Sequence, residues 1–438
     1  MVDGSLDRIL DALKWLGLDW DEGPGVGGPY APYVQSERKA LGKYAVAAQQ
    51  LIDNGHAYEC TCTPERLDQL RQQQRAEKKP TGYDGYCRNK SDEERDADRA
   101  QGRATVVRFK VPLEGEIVFD DVLRGPLTFD PSLLQDFVIL KSDGYPTYHL
   151  AHIVDDHEMG ITHVLRSEEW ISSTPRHVMM YDGFGWKPPE FVHLSILLGP
   201  DRSTLSKRHG ETSTLAYREM GFLPEAIINF LALLGWSLDD KTEIFSRDEL
   251  IEHFTLEQVN KSDAVWDADK LSWMNGVHIR ESSHERFAGA MVDYWDGYPP
   301  AEFPEPPDRD FALKVGPLIQ SRIKTLADAA PLLPFFFVER VDYSAEELVQ
   351  RGMDAQGTRE ALLAASDGLA TLAEFDTKAL ESLLRPLAAK LDIKVGQLLG
   401  TLRVATTGLR VSPPIYETME ALGRDRTLSA IQAAIEQL

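Results

Sequence analysis

Two parts of the sequence carry side chains that could bind and activate an acid. Tyr148 and Arg166 offer a phenol and a guanidinium, and a planar guanidinium can bind a carboxylate through two parallel charge-assisted hydrogen bonds. Further along, Ser206-Lys207-Arg208 places a hydroxyl beside two cations, which can stabilise charge on phosphate groups. Taken alone, a core tyrosine, a surface arginine and a solvated loop are the commoner interpretations of such residues. Whether these residues form a binding site therefore depends on the elements that position them.

A third chemical feature is a group of cysteines. All three cysteines of the chain, Cys60, Cys62 and Cys87, lie in one short segment. A Cys-x-Cys pair with a distant third thiolate could supply three of the four ligands of a tetrahedral zinc ion. A fourth ligand is not obvious from the residues, so three reduced cysteines without metal remain the alternative.

The surrounding pattern predicts α/β structure followed by helices. The first helix is expected to start after Ser5 as its N-cap, to end at Gly17 and to bury one apolar face. Strands are expected from Val107 to Val111, over residues 138–140 and over residues 193–200. Core stripes are predicted on the last helices, at Ile415, Met419, Leu422, Leu428, Ile431 and Ile435.

Composition bounds the class of protein. A chain of 438 residues, 42% of them hydrophobic, is long enough for roughly two to four domains. Its formal charge of −23 argues against a nucleic-acid binder, although local basic strips on an acidic protein can still hold a large nucleic acid. The sequence has no membrane-length apolar run and no signal-peptide pattern, and this predicts a cytoplasmic protein without a membrane partner.

The order of the motifs resembles the active site of one family. Tyr148-His-Leu-Ala-His152, then Arg166-Ser-Glu168-Glu169-Trp170, then Leu205-Ser206-Lys207-Arg208-His209-Gly210 are similar to the glutamyl-tRNA synthetases, which are class I aminoacyl-tRNA synthetases. The resemblance covers essentially the whole chain. It implies ATP-dependent attachment of glutamate to tRNA(Glu) in two steps, with Mg²⁺ accompanying ATP, by a protein that acts as a monomer.

The resemblance also implies a fold. A Rossmann-like α/β catalytic domain, N-terminally incomplete here, is expected in two parts, residues 1–45 and 146–210. An α+β insertion that binds the acceptor end should occupy residues 46–145. A stem-contact domain is expected over residues 211–283, followed by an all-α anticodon-binding region over residues 284–438.

For the amino acid, the resemblance implies that Arg166 and Tyr148 bind the side-chain carboxylate of glutamate and so reject glutamine. Asp155 and Asp156 are expected at a strand end that faces the site. His152 stands where many relatives have asparagine, and we assign it no catalytic role.

For ATP, the resemblance places Glu169 near the ribose and adenine and the backbone of Leu197 at the adenine. Lys207, with Ser206 and Arg208, corresponds to a mobile loop that stabilises the leaving pyrophosphate. Thr204 replaces the leading lysine of this loop motif.

For zinc, relatives that carry the metal have a tyrosine four residues before the last cysteine and often a histidine two residues after it. Tyr83 and Cys87 fit this spacing, whereas Asn89 stands at the histidine position. Cys60, Cys62, Tyr83 and Cys87 are therefore the candidate ligands of a structural zinc ion.

Three alternatives stay open. The chain could be a catalytically impaired tRNA-binding paralogue, a glutaminyl-tRNA synthetase, or a variant that also charges tRNA for glutamine. The long helical C-terminal region argues against the glutaminyl enzymes, which end in β-barrels. The family's HIGH segment has no counterpart after Met1. We therefore expect the sequence to begin inside the catalytic domain, either because the start codon was assigned too late or because the sequence is a fragment.

Overall fold

The computed structural model describes residues 4–206, 208, 213–301, 303 and 307–438, apart from the side chain of residue 92. Its N-terminal half contains helices α1 (Ser5–Trp15), α2 (Gln35–Ala40), α3 (Lys43–Asp53), α4 (Pro64–Ala76), α5 (Asp92–Ala100), α6 (Tyr148–Glu158) and α7 (Thr174–Phe184). The strands are β1 (Ala57–Cys60), β2 (Val106–Phe109), β3 (Ile117–Asp121), β4 (Gly125–Phe129), β5 (Phe137–Leu140), β6 (His163–Ser167), β7 (Glu190–Leu194), β8 (Leu197–Leu198) and β9 (Ala264–Val265).

The strands form three sheets. β1, β2 and β5 make an antiparallel sheet in the order β1-β2-β5, which carries the cysteine segment. A mixed sheet in the order β4-β3-β7-β6 contains the parallel pairs β3·β7 and β6·β7. The short strands β8 and β9 pair in parallel.

The mixed sheet is the element that positions the candidate site. Parallel strands end at the same edge, so the side chains near the ends of β6 and β7 come together. In the register of this pair, Arg166 lies opposite His193. Side chains alternate between the two faces of a strand, and this puts Arg166 on the same face as Val164, which packs against the core, while Leu165 is exposed.

The hairpin β3–β4 lies in the segment expected to form the insertion, yet β3 pairs with β7. One apolar core runs from β1 and β2 through β3 and α6 to α7 and β7. The domain boundaries at residues 45 and 145 remain a prediction.

The first helix differs from its prediction in two respects. Ser5 is already helical, and the N-cap is Gly4 in the left-handed region, with φ 72°. No residue of α1 is buried, because Leu6 and Ile9 face outward, 43% and 56% exposed. The segment is held instead by Leu16, which packs with Tyr217 and Phe222 in a neighbouring core.

The C-terminal half is helical. Its helices are α8 (Thr214–Glu219), α9 (Pro224–Leu233), α10 (Arg247–His253), α11 (Ala268–Glu281), α12 (His284–Gly297), α13 (Arg309–Ile319), α14 (Ala345–Leu348), α15 (Ala355–Ala370), α16 (Thr377–Lys390), α17 (Val395–Thr407), α18 (Ile415–Leu422) and α19 (Arg424–Gln437). Four residues of the predicted stripes, Ile415, Met419, Ile431 and Ile435, are buried in one core. Leu428 packs partly buried against the same core, whereas Leu422 packs partly buried against a neighbouring one. In the part of the chain that the structure describes, no helix combines the length and apolar character needed to cross a membrane.

Candidate active site

The guanidinium of Arg166 lies at the centre of a partly buried polar cluster. Its Nε donates to His193 Nε2 at 3.2 Å, and its Nη2 donates to Thr174 Oγ1 at 2.8 Å and to His177 Nδ1 at 3.2 Å. Its Nη1 has the longest contact, 3.5 Å to His152 Nε2. Thr174 begins α7 and is itself held by a hydrogen bond to the carbonyl of Trp170.

Arginine fixes the tautomers of these histidines because it has only donors. His193 must accept at Nε2, so its proton sits on Nδ1, which lies 2.7 Å from Asp121 Oδ2. His177 must accept at Nδ1, so its Nε2 donates to His149 Nδ1 at 2.9 Å. His152 Nδ1 lies 2.7 Å from Asp156 Oδ2, and its Nε2 lies 3.5 Å from Arg166 Nη1.

Burial keeps three of these imidazoles, those of His149, His177 and His193, neutral. Desolvation lowers the pKa of His149 to about 4 and the pKa of His177 well below its usual value, and nearby cations add to both effects. Burial also lowers the pKa of His193, although its hydrogen bond to Asp121 opposes this. Burial lowers the pKa of Arg166 as well, but a guanidinium remains charged at neutral pH. The Arg166 guanidinium therefore contacts the neutral rings of His177 and His193, with the Arg176 cation nearby.

Tyr148 covers the open side of this cluster. It is the first residue of α6, and helical spacing stacks its ring on His152, one turn later, with the centroids 5.4 Å apart. Its other neighbour is Trp170, at 4.4 Å. Tyr148 is 47% exposed. The structure thus brings the two predicted glutamate ligands, Tyr148 and Arg166, together beside the ring of Trp170.

The expectation for Asp155 and Asp156 was wrong. Both lie on α6 and not at a strand end, because apolar residues at helical spacing make this segment a helix. Asp155 turns away from the site and accepts hydrogen bonds from Arg38 Nε at 2.6 Å and Tyr44 Oη at 2.9 Å. Asp156 remains near the site through its contact with His152.

The predicted ATP-binding residues lie on one hairpin and one turn. Leu205 N donates to Leu197 O at 2.8 Å, and this closes a hairpin that returns Ser206 to the strand β8. Arg208 reaches back to Ser203 Oγ at 2.5 Å and Asp201 at 3.6 Å. Glu169 lies exposed in the turn after β6, between Arg166 and Trp170. Lys207 lies outside the described residues.

The cysteines converge as the sequence suggested. Ligand atoms of Cys60, Cys62 and Cys87 all lie within 4.8 Å of one another. Tyr83 Oη is 3.6 Å from Cys60 Sγ and 3.9 Å from Cys62 Sγ. Hydrogen bonds from Cys62 and Cys87 lower the pKa of the Cys60 thiol, which favours a thiolate there.

Sequence reasoning missed His149, His177 and His193, Thr174 and Asp121. A compositional signal was present, because six of the eleven histidines fall between positions 149 and 193. Asp121 gave no such signal, since its role depends on the pairing of β3 with β7.

Comparisons with known proteins agree along the whole chain. The family of tRNA synthetases class I (E and Q), catalytic domain, matches residues 2–273, and an anticodon binding domain family matches residues 286–435. A glutamate–tRNA ligase of Dehalococcoides mccartyi is 49% identical over 100% of this chain and 88% of its own length. One of Roseiflexus castenholzii is 45% identical over 100% of this chain and 87% of its own length.

A solved structure points the same way. The crystal structure of a glutamate tRNA ligase from Elizabethkingia meningosepticum in complex with its amino acid is 34% identical, with a TM-score of 0.86, and the match covers 100% of this chain and 90% of that one. This chain therefore belongs to the glutamate–tRNA ligase family of class I tRNA synthetases.

Proposed function

We propose that this protein attaches glutamate to tRNA(Glu) in two ATP-dependent steps and selects the amino acid through Arg166. The observation that carries the proposal is a largely desolvated guanidinium whose hydrogen-bond partners, in the described part of the chain, are ring nitrogens and a hydroxyl. The carboxylate of Asp156 acts on this cation only from beyond hydrogen-bond distance. A bound substrate carboxylate would supply a direct anionic partner for the desolvated guanidinium.

The same arrangement supports discrimination against glutamine. Glutamine has nearly the shape of glutamate, but its side-chain amide is neutral and carries an N–H₂ group. Arg166 has only donors, so one half of a bidentate contact would set N–H against N–H. Tyr148 and Arg166 both contact the ring of Trp170, and the Tyr148 phenol can donate a further hydrogen bond to a carboxylate that Arg166 binds.

In the first step, an oxygen of the glutamate α-carboxylate attacks the α-phosphorus of ATP. The bond from that phosphorus to the bridging oxygen of the β-phosphate breaks, and pyrophosphate leaves with the electron pair. We assign stabilisation of the pyrophosphate charge to Ser206, Lys207 and Arg208. We assign the ribose and adenine to Glu169 and to the backbone of Leu197, which the hairpin of residues 197–205 joins to the loop.

In the second step, a hydroxyl of the terminal ribose of tRNA attacks the activated carbonyl and AMP leaves. The protein contributes alignment and electrostatic stabilisation and no covalent intermediate. Magnesium supplies charge neutralisation on the phosphates.

We also propose that Cys60, Cys62, Cys87 and Tyr83 hold a structural zinc ion. Three sulfur donors and one phenol oxygen make up the number of ligands that tetrahedral zinc requires. Arg66 Nη1 lies 3.6 Å from Cys62 Sγ and would offset negative charge on the thiolates. Such an ion would fix the β1-β2-β5 sheet and take no part in the chemistry.

For its partner, we propose that the helical region over residues 284–438 binds the anticodon end of tRNA and that the protein acts as a cytoplasmic monomer. The match of an anticodon binding domain to residues 286–435 supports the first part. The alternatives of a remnant without activity and of a glutaminyl enzyme gain no support from the relatives, which are glutamate–tRNA ligases along the length of the chain.

A charging assay tests the proposal. Full-length protein is incubated with ATP, Mg²⁺, labelled glutamate or glutamine, and transcripts of tRNA(Glu) and tRNA(Gln). We expect glutamate on tRNA(Glu) and no charging with glutamine. Glutamate on both transcripts would identify the variant with relaxed tRNA choice. Tight binding of tRNA(Glu) without any charging would overturn the proposal in favour of the tRNA-binding remnant.

A further inference from the structure

Asp121, at the end of β3, is buried, and both of its carboxylate oxygens accept hydrogen bonds. Oδ1 accepts from the backbone amides of Leu123 at 3.0 Å and Arg124 at 2.9 Å. Oδ2 accepts from the backbone amide of His193 at 3.0 Å and lies 2.7 Å from His193 Nδ1. Both side chains are fully buried. The carboxylate therefore ties the hairpin turn to one particular orientation of the His193 ring.

That orientation matters because of what lies on the other side of the ring. His193 Nε2 is 3.2 Å from Arg166 Nε, which is always a donor. A proton on Nδ1 leaves the Nε2 lone pair for Arg166, whereas a proton on Nε2 would set two donors against each other. Asp121 selects the first tautomer, because an ionised carboxylate only accepts.

A second tie holds the same hairpin to the site. Arg124, three residues after Asp121, forms an ion pair with Glu168. Glu168 lies in the same turn as Glu169 and Trp170. Tyr148 packs against Trp170. The β3–β4 hairpin thus reaches the site at two points, through His193 and through Glu168.

We infer that Asp121 is a positioning residue for glutamate selection, which acts through the Nδ1–H tautomer of His193 to hold the Arg166 guanidinium. With Nε fixed by His193 and Nη2 fixed by Thr174 and His177, the remaining Nη1 edge is directed to the side where Tyr148 and His152 stack. This inference rests on the proposed role of Arg166 in binding glutamate.

The test compares Asp121→Asn with Asp120→Asn in the full-length protein. Asp120 is the preceding residue on the same strand and is exposed, so its variant controls for a change of charge on the hairpin. In Asp121→Asn, an amide N–H₂ must face a backbone donor or the His193 ring. We expect the KM for glutamate to rise about tenfold or more, with the KM values for ATP and tRNA unchanged. Asp120→Asn should behave as the unaltered protein.

The direct readout is the His193 tautomer. Nitrogen-15 NMR of histidine-labelled protein, with His193 assigned through His193→Gln, should show the proton on Nδ1 in the unaltered protein and a smaller fraction of that tautomer in Asp121→Asn. A proton on Nε2 in the unaltered protein would overturn the inference. So would a folded Asp121→Asn variant with an unchanged KM for glutamate.

Two further comparisons separate possible failures. If Asp121→Asn does not fold, two measurements still test the positioning role: the His193 tautomer in the unaltered protein and the KM for glutamate of His193→Gln. The inference requires that this KM rise. If Arg166→Lys leaves the KM for glutamate unchanged, the proposed role of Arg166 fails, whatever the tautomer proves to be. If Arg166→Lys raises it and Asp121→Asn does not, only the positioning role fails.

Discussion

Arg166 and His193 lie opposite each other in the register of the parallel strands β6 and β7, and Arg166 Nε donates to His193 Nε2 at 3.2 Å. The direction of the guanidinium is therefore set by strand pairing and not by a flexible side chain alone. Because arginine can only donate and an ionised carboxylate can only accept, Arg166 and Asp121 together require the His193 proton on Nδ1.

Removing the phenol of Tyr148 tests its assignment to the glutamate carboxylate. Tyr148→Phe keeps the stacking on His152 and Trp170 but loses one hydrogen bond to a charged ligand. We expect the KM for glutamate to rise roughly 3- to 10-fold. Tyr145→Phe is the matched control, since Tyr145 is a similarly exposed tyrosine that packs against Lys39. Steady-state pyrophosphate exchange measures both, and equal KM values would remove Tyr148 from the site.

Lys207, in the loop with Ser206 and Arg208, should affect the rate of adenylate formation and not the binding of the amino acid. Lys207→Ala removes a cation that we assign to the leaving pyrophosphate, so kcat for adenylate formation should fall about 10²- to 10³-fold at saturating ATP and glutamate. The KM for glutamate should stay the same. Lys241→Ala, an exposed lysine outside the site, serves as the control. A variant at position 207 with normal single-turnover adenylation would exclude this role.

Stability should depend on pH through the buried histidines. Folding lowers the pKa of His149 to about 4 and lowers those of His177 and His193, so the unfolded chain binds more protons below about pH 6.5. The free energy of unfolding should therefore be constant above that pH and fall as the pH drops towards 4. Each histidine contributes a slope of up to about 1.4 kcal/mol per pH unit.

Urea unfolding at a series of pH values measures this slope. His149→Gln keeps an acceptor for His177 but cannot take up a proton at that position, so its slope should be smaller. His163→Gln changes an exposed histidine and should leave the slope unaltered. Equal slopes in all three proteins would show that His149 does not titrate as described.

The cysteine group should carry about one zinc ion per chain in purified protein, measured by plasma mass spectrometry. Cys87→Ser should lose it. Asn89→Ala is the control, because position 89 is where the expected histidine is absent, and it should keep the metal. Tyr83→Phe decides whether the phenol is a ligand, through a change in the absorption of the cobalt-substituted protein. A metal-free parent protein with a stable fold would rule out the zinc proposal.

The sequence predicted the family and the class of fold because short motifs such as those around Tyr148 and Arg166 bring specific residue types together at fixed spacing. It also predicted the buried stripes of the last helices, since helical period alone determines them. Local patterns failed where a distant contact decides. Asp155 seemed to face the site, yet Arg38 and Tyr44, more than a hundred residues away, hold it on the far side of α6.

The ring of histidines shows the same limit. Nothing in the local pattern around His193 or Asp121 indicates that they meet, because β3 and β7 are separated by about 70 residues and pair only in the folded sheet. The exposed face of α1 is a further example. Amphipathic spacing predicted burial, but the spacing does not say what packs against it.

The most direct test of the whole account is the KM for glutamate of Arg166→Lys in full-length protein, with Arg8→Lys on the exposed face of α1 as control. Lysine keeps the charge but cannot form two parallel hydrogen bonds or hold the four contacts of the guanidinium. We predict a rise of roughly 10- to 100-fold in the KM for glutamate, with the KM for ATP unchanged. A folded Arg166→Lys protein with the parent's KM for glutamate would contradict the assignment of Arg166 and the selection mechanism built on it.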